Sequence, residues 1–170
     1  MVAKNTRITT LALLIAMAVA LHWAESFIPR PAPFLRIGLA NIFTMCALYL
    51  FGGLWGILVA SIRVIIGSLL AGNLFTPTFF FSFGGGIVAG ITMWIMPKKI
   101  FSMIGVSIAG ALSHMSVQII LAMLLIRHSA LIHIVPLFLV VSVITGIVNG
   151  YCASIILEVA RGRNPYPKSF

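Results

Sequence analysis

The residues of this sequence best placed to do chemistry are ionisable or polar side chains set inside long apolar runs. Arg63 lies in Ser61-Ile62-Arg63-Val64-Ile65-Ile66-Gly67. An arginine at the centre of a membrane helix costs about 2.5–3.5 kcal/mol on insertion scales, so it must face a bundle interior and find a partner. Glu25 and Glu158 are the only acids in the chain. A buried Arg63–Glu25 ion pair is one way to satisfy both groups. The other is an anionic ligand held by Arg63, with Glu25 orienting the guanidinium. His114 and Gln118 are four residues apart and share one helix face. Ser107 and Ala111 continue that face with small side chains. A lone histidine here is more often a bond between helices than a ligand group, but this pair falls at a depth similar to that of Arg63. Asn41 stands just inside the next apolar segment, with Arg36 shortly before it. Glu25, Arg36, Asn41, Arg63, His114 and Gln118 are therefore the expected lining of one substrate-binding pocket. Asn149 is a weaker candidate.

The chemistry so described is capture, not turnover. The chain contains no aspartate, so Mg²⁺ chemistry that needs clustered carboxylates has no ligands. Gly84-Gly85-Gly86 is like a phosphate-cradling loop, but no Gly-Lys-Ser/Thr follows, and the sequence has no Walker A motif. His22, His114, His128 and His133 have no compact metal spacing, and Cys46 and Cys152 read as buried free thiols. The expectation is no catalytic residue, no metal and no cofactor. The formal charge of +9 is spread without a basic run that would grip a phosphate backbone. It is read as topology and contact with anionic lipid headgroups, not as nucleic-acid binding.

The elements that must position these residues are membrane helices. The chain is 61% hydrophobic and 8% charged, with mean hydropathy +1.18. Its long apolar runs lack the alternation of a β-barrel. The reading is an all-α integral membrane protein, a single transmembrane domain over residues 1–170. Its six helices span about 8–28, 38–51, 54–70, 83–96, 101–126 and 132–160. The first run is too long for a signal-peptide core and is kept as a helix of the mature protein. Pro29, Pro31 and Pro33 forbid a helix interior between the first two helices, and residues 71–82 form a longer connection. Six spans put both termini on one side. With the N-terminus inside, Lys4, Arg7, Lys98, Lys99, Arg161, Arg163 and Lys168 are cytoplasmic against Arg30, Arg36 and Arg127 outside, which favours N-in/C-in. Arg30 and Arg36 would then attract an anion at the mouth. Phe79-Phe80-Phe81 reads as an interfacial or lid segment with lipid contact. Gly86-x-x-x-Gly90 and Gly146-x-x-x-Gly150 read as close helix contacts. On the first helix, Ala12, Ala16 and Ala20 form a stripe of small residues almost opposite Glu25. That stripe suits a helical partner, in this chain or another.

These segments carry a family resemblance. They are Pro29-x-Pro31-x-Pro33-Phe34-Leu35-Arg36-Ile37-Gly38-Leu39-Ala40-Asn41-Ile42, Arg63-Val64-x-x-Gly67-x-Leu69-Leu70-x-Gly72, Ser82-Phe83-x-Gly85-Gly86, Phe101-Ser102-x-Ile104-Gly105-x-Ser107-x-x-Gly110-Ala111-x-x-His114 with Gln118, and Thr145-Gly146. Together they are similar to the Gx transporter family, often labelled heptaprenyl diphosphate synthase component I, over about residues 8–160. That family resembles the substrate-binding S components of energy-coupling factor (ECF) importers. The resemblance implies a six-helix S-component-like bundle in the bacterial cytoplasmic membrane that captures a small anionic or amphipathic, vitamin-like or isoprenoid/quinone-precursor substrate from outside. It implies docking of Ala12, Ala16 and Ala20 on a transmembrane coupling subunit energised by two ABC ATPases, and outer loops that gate the pocket. The synthase label meets a chemical obstacle: prenyl elongation uses aspartate-rich Mg²⁺–diphosphate motifs, and this chain has no aspartate. The enzyme-class alternative is thus a non-catalytic membrane accessory subunit of polyprenyl diphosphate synthesis.

Overall fold

A computed structural model of the chain describes residues 2–28, 36–97, 99–126 and 129–160. The described residues form six α-helices: α1 Val2–Ala24, α2 Asn41–Phe51, α3 Gly53–Leu70, α4 Pro77–Ile95, α5 Met103–Ile126 and α6 Val135–Ala160. Short stretches of tighter helix cover Glu25–Phe27 and Ser129–Ile134. The fold is all-helical, and five of the helices are long and apolar enough to cross a membrane. The exception is α2. Its 11 residues reach only about 16 Å at 1.5 Å per residue, half of a hydrocarbon core. It compensates by position: Asn41 to Leu48 are all buried, and α2 packs against α1, α3, α4 and α6. A helix apolar on every side belongs at the centre of a bundle.

Two helix starts differ from the sequence expectation for a local reason. Helix α2 starts at Asn41 instead of residue 38. Gly38 has φ +81° and accepts the Asn41 N–H at 3.1 Å, so residues 36–40 turn into the bundle before the helix begins. Helix α4 starts at Pro77 instead of residue 83, with Pro77 in the first turn, where its fixed φ and missing N–H cost nothing. The connection before it therefore covers residues 71–76, about half the expected length. As a result the Phe79–Phe81 run is helical and only partly outward: Phe79 and Phe81 are buried and Phe80 is exposed. The Pro29–Leu35 segment, Arg30 and Arg127 lie outside the described residues.

Glycines set the closest helix contacts. A Cβ on Gly146 or Gly150 would lie 2.6 or 2.7 Å from the Cα of Ile108 or Ile104, so α5 and α6 touch backbone to backbone. Both termini of the bundle share one end: Thr6, Arg7, Phe51 and Ala160 line one surface depression there. At that end the Arg7 guanidinium lies 5.4 Å from the Phe51 ring centroid and 5.5 Å from that of Trp55.

Candidate functional site

The six residues singled out as pocket lining converge at the other end of the bundle. Arg63, Arg36, Glu25, Asn41, His114 and Gln118 are 0–5% exposed. Helix α1 supplies His22, and Glu25 follows in the turn that extends it. The turn into α2 supplies Arg36, α2 supplies Asn41, α3 supplies Arg63, and α5 supplies His114 and Gln118. The Arg63 Nη2 donates to Asn41 Oδ1 at 2.5 Å and lies within coulombic reach of the Glu25 carboxylate. The Leu39 N–H donates to Glu25 Oε1, which ties the carboxylate to the turn before α2.

Arg36, expected in the outer loop at the mouth of the pocket as well as in its lining, lies wholly inside. It is buried, because the Gly38 turn folds residues 36–40 inward. It links three elements. Its Nη1 donates to His22 Nε2 on α1. Its Nη2 lies 3.1 Å from the Asn73 amide, whose oxygen is assigned to that side because a guanidinium only donates. Its backbone N–H donates to Gln118 Oε1 on α5 at 2.9 Å. Asn73 is delivered by the end of α3: Gly72 takes φ +67° and the Asn73 N–H bonds back to Ser68 O at 2.9 Å, a glycine-dependent helix stop.

These bonds fix the protonation of both histidines. A guanidinium only donates, so His22 Nε2 must accept. Because Gln118 Oε1 faces the Arg36 N–H, its amide nitrogen faces His114 Nε2 at 2.5 Å, and that nitrogen also accepts. Each ring is therefore neutral, with its proton on Nδ1. Glycines make room for both rings. A Cβ on Gly67 would lie 2.5 Å from His22 Cδ2, and one on Gly85 2.9 Å from His114 Nδ1.

His22, Glu25, Arg36, Gly38, Arg63, Val64, Ser82 and His114 enclose about 180 Å³ of interatomic space, nowhere wide enough for a water-sized sphere. Around it stand two guanidiniums and one carboxylate. The only other acid in the chain, Glu158, is exposed near the C-terminal end of α6. What this arrangement can do is hold an anion away from water.

Sequence reasoning passed over His22, Ser82 and Asn73, and ranked Asn149 low. Asn149 Nδ2 donates to Gly38 O at 3.1 Å, holding the turn against α6. His22 had a signal: it precedes Glu25 by three residues and so shares its face. Asn73 had none, since its role depends on where α3 stops. The alanine stripe lies opposite. Ala12, Ala16 and Ala20 are exposed while Leu14, Ala18, His22 and Glu25 are buried, so no described residue of this chain covers the stripe.

The class of fold emerges from comparison with solved structures. The chain matches one described as "Structure and mechanism of the S component of a bacterial ECF transporter" with a TM-score of 0.59 and 21% identity, covering 91% of this chain and 96% of that one. The bundle thus has the fold of an ECF S component. Residues 14–156 match the family described as heptaprenyl diphosphate synthase component I, and the chain belongs to that family. No curated protein matches this sequence.

Proposed function

We propose that this protein is the substrate-binding subunit of an ECF-type importer, and that its ligand is a small anionic or amphipathic molecule captured from outside the cell. The observation that carries the reading is the charge count of the buried site: Arg36 and Arg63 against Glu25 alone. A surplus buried cation inside a membrane is costly, and an anionic ligand would offset it. Glu25, Arg36, Asn41, Arg63, His114 and Gln118 form the binding set. With both termini at one end of the bundle, the excess of basic residues near them favours N-in/C-in in a bacterial cytoplasmic membrane. The site then lies in the outer half, as capture from outside requires.

In this reading the exposed Ala12–Ala16–Ala20 stripe docks on the transmembrane coupling subunit. ATP hydrolysis is supplied by two separate ATPases, since this chain has no nucleotide-binding motif. The family description favours a second reading, a non-catalytic membrane subunit of heptaprenyl diphosphate synthesis. Affinity purification from native membranes in mild detergent separates the two. Copurification of a coupling subunit and ABC-type ATPases, lost on Ala16→Leu, is the expected result. A soluble prenyltransferase in their place would replace the importer with the accessory subunit.

A further inference from the structure

Ser82 is the one hydroxyl lining the enclosed space. A serine inside a membrane helix ordinarily satisfies its hydroxyl on the carbonyl four residues back. Ser61 does so on Ile57 O at 3.0 Å, Ser116 on Leu112 O at 2.8 Å and Ser142 on Phe138 O at 2.6 Å. Ser82 does not: its Oγ is buried and has no hydrogen-bond partner among the described residues. Arg63 Nε is in the same condition. Both residues line the same small space, and both are 1% exposed. Their helices face each other there: Gly86, one turn beyond Ser82 on α4, would carry a Cβ 3.7 Å from Arg63 Nη2. Each of the two groups is a buried donor without an acceptor, as is the protonated Nδ1 of His114 on the same lining, and each forgoes a bond whose loss is costly in a dry interior.

The charge around them is set by the bonds already described. Arg36 and Arg63 contribute two positive charges and Glu25 one negative. His22 and His114 contribute none, because each is held as a neutral acceptor. Among the described residues the surplus is one positive charge.

Resting on the importer reading, we infer that Ser82 Oγ and Arg63 Nε form the seat for the ligand's head group, and that this group bears a single negative charge on oxygen, a carboxylate being the simplest case. The space is closed to a water-sized sphere as it stands, so the ligand enters as the surrounding side chains move apart; its oxygen then accepts from both donors, and one negative charge neutralises the site. A diphosphate brings at least two, and the second would meet no cation. Ser82 is thereby a specificity-determining residue of the site, and polyanionic head groups are disfavoured.

The test supplies the anion covalently. Ser82→Asp places a carboxylate at the seat, with Ser82→Asn as the neutral variant of matching size. Thermal unfolding of full-length protein in lipid nanodiscs should rise by about 2–4 °C or more for Ser82→Asp, the scale of a modest stabilisation in a chain of this length. It should not rise for Ser82→Asn, and Arg63→Gln in the Ser82→Asp background should remove the gain. A second carboxylate, Asn41→Asp added to Ser82→Asp, should bring no further rise. A Ser82→Asp protein no more stable than Ser82→Asn, or absent from the membrane where Ser82→Asn is present, overturns the seat. A second rise as large as the first overturns the single-charge requirement and admits diphosphates. The same preparations are checked for the copurifying coupling subunit. If it is retained while the melting temperature fails to rise, the importer reading stands and the seat falls. A rise with no coupling subunit does the reverse.

Discussion

In the half of the bundle that carries the termini, neighbouring helices meet through Leu14, Met45, Leu48, Val59, Met93 and Leu157. Towards the other end, largely the same helices meet through His22, Asn41, Arg63, Ser82 and Asn149. In lipid the first kind of contact gains little from the hydrophobic effect, because hydrocarbon surrounds the unassembled helices too; what remains is packing. The second kind is held by hydrogen bonds and charge, which are strong where water is excluded and costly where unmatched. The apolar half therefore holds its shape with or without ligand. The polar half carries two buried arginines against one acid and, among the described residues, no partner for Ser82 Oγ or Arg63 Nε. In the proposed reading one half is scaffold and the other is organised around the ligand.

Substitutions in each half should separate these roles. Arg63→Ala acts on the polar half alone. It removes the surplus charge and leaves Glu25 matched by Arg36, so membrane insertion and folding should persist. Ligand affinity should fall by about 2–5 kcal/mol, the cost of truncating one partner of a buried charged contact, and uptake should vanish. Unchanged uptake in cells would end the role assigned to Arg63. Gly85→Ala comes next. Its Cβ would lie 2.9 Å from His114 Nδ1 and 3.0 Å from the His114 carbonyl oxygen, so α4 and α5 must separate or the ring must move. The expected loss is about 1–3 kcal/mol in thermal unfolding, together with weaker ligand binding. Gly84→Ala, which meets only Leu121 and Val117 side chains at 3.3 and 3.5 Å, is the matched comparison and should be close to neutral.

In the apolar half, Leu48→Ala should cost about 1–2 kcal/mol. That is the packing part of the roughly 2–5 kcal/mol lost in a water-soluble core, since transfer to lipid is nearly free. Ligand affinity should not move; a loss comparable to that of Arg63→Ala would show that the halves are coupled. Smallest is Arg7→Ala, which removes the guanidinium from the Phe51 and Trp55 rings. It should cost about 0.5–1 kcal/mol in unfolding, with the site unaffected.

Helix α1 shows the same division around one axis. Its buried face ends in His22, followed in the next turn by Glu25, and its opposite face presents Ala12, Ala16 and Ala20 with nothing described against them. The angular offset between Glu25 and the alanines follows from helical periodicity and was legible in the sequence. Whether this chain covered the alanines itself was not, because that depends on which helices α1 packs against.

Composition and apolar run length determined the class of this protein, since a backbone in lipid is satisfied only in helices or closed barrels and these long runs lack a barrel's alternation. The cost of charge in hydrocarbon likewise marked Arg63 and Glu25, and helical spacing joined His114 to Gln118. These are local constraints, readable residue by residue. The tertiary structure decided the rest. It made α2 a short buried centre in place of a sixth full span, and it turned Arg36 from a loop charge into a strut joining α1, α5 and the α3–α4 turn. It also left Ser82 without the carbonyl bond that its helix offers. Each of those outcomes depends on contacts between segments far apart in the chain, such as Arg36 with Gln118 and Asn149 with Gly38, and no local pattern encodes which distant groups will meet.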